Sequence, residues 1–114
     1  MALASPLITF DYLNEISGGD TDFQKEIIQT FLEEMANEID RLQNACDQQD
    51  WPTLGSVAHK VKAPINMLCT EPLKTRILHI EKTAKAEQDV DSLPGEVKLL
   101  IQDLGEVMAA LRTM

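Results

Sequence analysis

A chain of 114 residues with 44% hydrophobic content has material for one buried core, so a single domain spanning residues 1–114 is expected rather than disorder. Its formal net charge of -9 argues against nucleic-acid or anionic-membrane partners, both of which need a basic face to release counterions or meet lipid headgroups. The aromatic share is only 4%, and the segments rich in Leu, Ile, Met, Ala, Glu, Lys and Gln favour helices, because most of these side chains lose little rotamer freedom there.

The opening run from Met1 to Pro6 lacks a basic stretch followed by a long apolar one, and no segment approaches the roughly 18 apolar residues of a membrane span. A cytoplasmic location is expected. Phe10 to Ile16 reads as a short packing helix stopped at Ser17-Gly18-Gly19. Asp20 and Thr21 offer N-cap oxygens, with Gln24 three residues after Thr21 in capping-box spacing. From Asp22 to about Asp47, Ile28, Phe31, Met35, Ile39, Leu42 and Cys46 recur at steps of three and four. Glu33, Glu34, Glu38, Asp40 and Arg41 fall on the other faces, and such a helix would run roughly 40 Å.

After a polar break at Asp47 to Asp50, Asp50 can cap a second long helix from Trp51 to about Leu68, with Pro52 tolerable in its first turn. Thr70-Glu71-Pro72 separates it from a helix over Leu73 to Lys85, whose stripe is Leu73, Ile77, Ile80 and Ala84. Asp89 to Pro94 reads as the last loop, before an amphipathic helix carrying Val97, Leu100, Ile101, Leu104, Met108 and Leu111. Cys46 and Cys69 have no ligand-like spacing and read as small buried apolar residues. The expected fold is all-α: an antiparallel up-down four-helix bundle with a short additional N-terminal helix.

Function concentrates on the second long helix. At about 100° per residue, Leu54, Val57, Ala58, Val61, Ile65 and Leu68 share one sector, and His59 falls about 150° from its centre, towards water. Gly55 and Ala63, one turn either side, carry almost nothing to shield the ring, so a partner could approach closely. Lys62 reaches the same side from the next turn and Lys60 adds charge from a flank. Both sit in a locally positive stretch with Lys74, Arg76, Lys82 and Lys85 against only Glu71 and Glu81. An exposed imidazole beside ammonium groups suits acceptance of an anionic group.

The run Ala58-His59-Lys60-Val61-Lys62-Ala63 resembles the H-x-L-K-G signature of histidine-containing phosphotransfer (HPt) domains, and the resemblance extends over nearly the whole chain. It includes the Gly-Gly-Asp turn before the first long helix and the Asp50-Trp51 start of the histidine helix. Val61 stands for the family's leucine, Ala63 for its glycine, Pro64 and Ile65 for its usual small residues, and Cys69 for a later glycine. Inside a helix, Pro64 removes a hydrogen bond and crowds the Lys60 carbonyl, which predicts a kink or loosened turn just beyond His59.

The resemblance implies that His59 accepts a phosphoryl group through Nε2 from the aspartyl phosphate of a receiver domain and passes it on. Lys62 and Lys60 would stabilise the phosphoryl charge. Gly55, Ser56, Ala63, Asn66 and Met67 are the expected partner contacts. No cofactor is expected in this chain, since the receiver would supply Mg²⁺, and no glycine-rich nucleotide loop suggests autophosphorylation. A monomer is expected.

Two other readings of the sequence differ in chemistry. Di-metal bundles place Glu-x-x-His pairs on facing helices, whereas Ser56 precedes His59 and Arg76 precedes His79 at that spacing, so His79 reads as a solvated residue. The alternative to phosphotransfer is a bundle that binds a receiver or another partner without transferring phosphate.

Overall fold

The computed structural model describes residues 5–113. Five helices follow one another: α1 (Asp11–Ser17), α2 (Thr21–Asp47), α3 (Trp51–Leu68), α4 (Leu73–Ala86) and α5 (Leu93–Arg112), with a 3-10 turn at Val90–Ser92 before α5. The expected all-α character holds: among the described residues the regular elements are all helices, with an isolated bridge between Ile8 and Cys69.

α2 packs on α3 and α5, and α4 packs on the same two helices, so each long helix meets two neighbours around a shared interior. Leu42, Leu54, Ile65, Leu68, Ile77, Ile80, Leu100 and Leu104 are fully buried there. The periodic stripes expected from the sequence supply most of this core, because a helix hides one apolar sector and wets the rest. α1 adds Leu13 and lies against α2 and α3.

Local chemistry sets the helix ends. Gly18, with φ +59, and Gly19, with φ +90, turn the chain left-handed after α1. Asp20 caps α2 by accepting from Asp22 N and Phe23 N. Gln24 does not complete a capping box: its amide donates to Asn14 Oδ1 and Ser17 Oγ, fastening α2 to α1. Asp50 caps α3 through Thr53 N, as its position suggested.

Two expectations are corrected. Asp89 to Pro94 is only partly loop, because α5 already begins at Leu93 and takes Pro94 into its first turn, where the missing N–H is harmless. Glu38 does not sit on a solvent face but is 6% exposed, bonded to cations from two helices. Pro64 lies inside α3, which stays helical to Leu68. The far end of that helix is anchored beyond the proline: Cys69 N donates to Ile65 O at 2.8 Å and Thr9 N donates to Leu68 O at 2.9 Å. These bonds hold the final turn although Pro64 cannot donate.

Both cysteines are free and buried, as expected of small apolar residues. Burial pushes the Cys69 thiol up to about 12. Among the described residues no helix is long and apolar enough to cross a membrane.

Candidate functional site

His59 lies near the middle of α3 with its side chain 64% exposed, in keeping with its angular position opposite the core sector. The ring leans towards α4. Its Nδ1 lies 2.5 Å from Oε2 of Glu81, a carboxylate 22 residues further on that is only 7% exposed. Lys62 Nζ donates to Glu81 Oε1 at 2.7 Å, and Lys85 Nζ donates to Glu81 Oε2 at 3.1 Å. One buried carboxylate therefore receives three donors from two helices.

The electrostatics follow from that geometry. Glu81's carboxyl is lowered to about 2, first by the Lys62 hydrogen bond, against the opposing effect of burial, and further by the bonds from His59 and Lys85. It is thus a carboxylate at neutral pH and can only accept. The proton of the His59–Glu81 bond must then sit on Nδ1, and in the tautomer that this bond selects Nε2 keeps its lone pair. Among the described residues nothing bonds to Nε2. The arrangement holds the ring by Nδ1 and leaves most of the side chain exposed.

A model of the Hpt domain family matches residues 26–112, well over half of the chain. The chain belongs to the Hpt domain family. No curated protein matches it, but among solved structures it is similar to the HPT domain from the Hpt sensor hybrid histidine kinase of Shewanella. That likeness has a TM-score of 0.77 at 21% identity and covers 93% of this chain and 91% of the other.

Within this Hpt domain the residues anticipated from sequence are distributed unevenly. Lys62 is at the His59–Glu81 pair, 29% exposed. Lys60 is drawn to the other flank of α3, where its Nζ donates to Glu38 Oε1 on α2 at 3.1 Å. Two residues apart on a helix means about 200° of rotation, so the two ammonium groups diverge towards different neighbours.

Ser56, Ala63 and Asn66 are exposed and Met67 is half-buried. Ala63 and Met67 line a cleft of about 520 Å³ between α2 and α3, together with Phe23, Ile27, Phe31 and Pro64. Gly55 is elsewhere: it is buried where α3 meets α4, and a Cβ there would stand 3.0 Å from Lys85 Cγ. The open turn expected before His59 is in fact filled by the Lys85 stem. His79, exposed on α4, has only a long 3.5 Å approach between its Nε2 and Thr83 Oγ1.

Glu81 and Lys85 were not anticipated as site residues. Glu81 borders the buried Ile77, Ile80 and Ala84 stripe and is one of two acids in a cationic stretch, a signal that reads equally well as charge balance.

Proposed function

We propose that this domain is a phosphorelay intermediate: His59 accepts a phosphoryl group from the aspartyl phosphate of a receiver domain and hands it to another acceptor. The observation that supports this reading best is an exposed imidazole whose Nδ1 is engaged by Glu81 while Nε2 faces solvent unpaired among the described residues. Membership of the Hpt domain family and the likeness to a sensor-kinase HPT domain point the same way.

In the proposed step Nε2 attacks phosphorus in line with the aspartyl oxygen. The Nε2–P bond forms as the P–O bond breaks, and the bonding pair leaves with the aspartate carboxylate. The ring keeps its Nδ1 proton, becomes cationic, and is met by Glu81. Lys62, two bonds away through the same carboxylate, meets the phosphoryl oxygens. Lys60, paired with Glu38, adds only a more distant positive field. The divalent cation that neutralises the aspartyl phosphate belongs to the receiver.

The receiver docks over the exposed face of α3, with Ser56, Ala63, Asn66 and Met67 in the contact and the α2–α3 cleft beside them. The short α2–α3 and α3–α4 connections support an antiparallel up-down sense for the four long helices. A single cytoplasmic, monomeric module without its own kinase activity completes the proposal.

The test is label transfer. A receiver carrying radiolabelled aspartyl phosphate is mixed with the domain, and acid-labile, base-stable label is sought on wild type and on His59→Gln. Label on wild type alone supports transfer. Label on neither, with stable receiver binding, would establish a binding module instead.

A further inference from the structure

Gly55 is an odd choice for the interior of α3. Its backbone is helical, so the helix itself has no use for glycine, and alanine there would be favoured on propensity alone. The reason lies on the neighbouring helix. A Cβ at position 55 would stand 3.0 Å from Lys85 Cγ, 3.5 Å from Lys85 N and 3.6 Å from Ala84 Cβ. The first of these is tighter than most side chains adopt, so Lys85 Cγ would have to give way by a few tenths of an ångström and carry its stem with it.

That stem has a destination. Lying across the bare turn at Gly55, Lys85 delivers Nζ to Glu81 Oε2, the same oxygen that engages His59 Nδ1. Lys62 occupies the other oxygen. The carboxylate that holds the ring therefore draws in two ammonium groups, one from each helix, and the Lys85 side chain at 53% exposure has room to turn.

We infer that Gly55 is the seat of Lys85, and that Lys85, placed from α4, is the second ammonium of the phosphoryl site. Gly55 acts only through Lys85 and is a positioning residue. With the ring unmodified, the Lys85 ammonium rests on Glu81. A phosphoryl group on Nε2 brings negative charge within its reach, and the ammonium turns from the carboxylate to the phosphoryl oxygens. The Lys85 stem against Gly55 sets the side of the ring from which it arrives.

This inference rests on His59 being the phosphoryl acceptor, so its test uses a donor that needs no receiver. Phosphoramidate phosphorylates an accessible imidazole directly: the Nε2–P bond forms, the P–N bond of the reagent breaks, ammonia leaves with the bonding pair, and the ring retains Nδ1–H. The rate of mass gain is measured for wild type, Lys85→Ala, Lys85→Arg, Gly55→Ala and the double variant Gly55→Ala/Lys85→Ala, with His59→Gln as the blank.

Lys85→Ala should be slower than wild type by about three- to tenfold, the scale of one exposed charge-assisted bond, and Lys85→Arg should recover most of that loss. Gly55→Ala should slow the reaction comparably, and the double variant should be no slower than either single one, because both changes remove the same contact. An unchanged rate in Lys85→Ala overturns the inference. So does an additive double variant, which would show that Gly55 acts on something other than Lys85. A wild type that reacts with phosphoramidate at His59 yet never takes label from a receiver would sink the relay reading while leaving the Lys85 comparison decisive.

Discussion

Replacing Glu81 with glutamine keeps the shape of the side chain and removes its charge. The carboxylate, 7% exposed, accepts from His59 Nδ1 at 2.5 Å, Lys62 Nζ at 2.7 Å and Lys85 Nζ at 3.1 Å. A glutamine has one accepting oxygen and an amide that donates, so at least one of the three donors would face another donor. Lys62 and Lys85, at 29% and 53% exposure, can turn to water instead. The expected loss of stability is therefore about 1–3 kcal/mol, below the 3–5 kcal/mol or so of a fully buried pair broken on one side.

The chemical consequence is separate from stability. Without the carboxylate, the ring proton is free to reside on Nε2, and that tautomer has no lone pair to offer phosphorus. A charge-assisted bond of about 1.5–3 kcal/mol, lost from the barrier, corresponds to roughly a ten- to hundredfold slower reaction. The assay is the initial rate of transfer from a phosphorylated receiver, together with the ¹⁵N shifts of the His59 ring, which report which nitrogen is protonated. Wild type should show Nδ1–H and Glu81→Gln a mixture. A folded Glu81→Gln that transfers at the wild-type rate with Nδ1 still protonated refutes the reasoning.

Lys62→Ala should slow transfer about tenfold with little change in the thermal midpoint, since its 29%-exposed amine meets the carboxylate from a partly wet position; an unchanged rate removes Lys62 from the mechanism. Acid should weaken the fold through Glu81. Its carboxyl is lowered from 4.5 to about 2, so its contribution is complete above pH 4.5 and fades as pH falls towards 2. That interval is worth at most about 3 kcal/mol and, with water screening the partners, nearer 1–2 kcal/mol; urea midpoints of wild type and Glu81→Gln should converge over this range. Pro64→Ala should stabilise the domain by about 1–2 kcal/mol by restoring an N–H to α3, a gain seen in urea titration and refuted by a lower midpoint.

The helices were legible because their apolar periods are regular and two of their starts carry aspartate caps, Asp20 and Asp50. His59 was legible for the same reason, since a residue opposite a clean apolar sector must face water. What could not be read was the flank of each helix. Gly55 lies about 40° from His59 around α3, close enough in projection to pass for open surface, but that sector is where α4 packs. Glu38, Glu81 and Lys85 are polar residues bordering apolar stripes, and sequence alone does not show whether a neighbouring helix brings them a partner. The burial of Glu38 and Glu81 depends on donors on α3 that lie 22 residues away in sequence, and Lys85 joins Glu81 from four residues along the same helix.

These flanking pairs also bear on how His59 is aimed. Lys60 is tied to Glu38 on α2, whereas His59 and Lys62 are tied to Glu81 on α4. An apolar sector spanning about 100° tolerates some rotation of a helix about its axis, because one aliphatic contact substitutes for another. Ion pairs on opposite flanks do not. Turning α3 so that Lys60 approached Glu81 would strip Glu38 of a cation and leave it buried with Arg41 alone. We therefore take the two carboxylates as a hypothesis of angular pinning: they specify which way the imidazole points. Glu38→Leu tests it, since the variant should keep the fold while the His59 ring signals broaden or double. Sharp, single ring resonances at the wild-type positions would assign the aim of His59 to Glu81 alone.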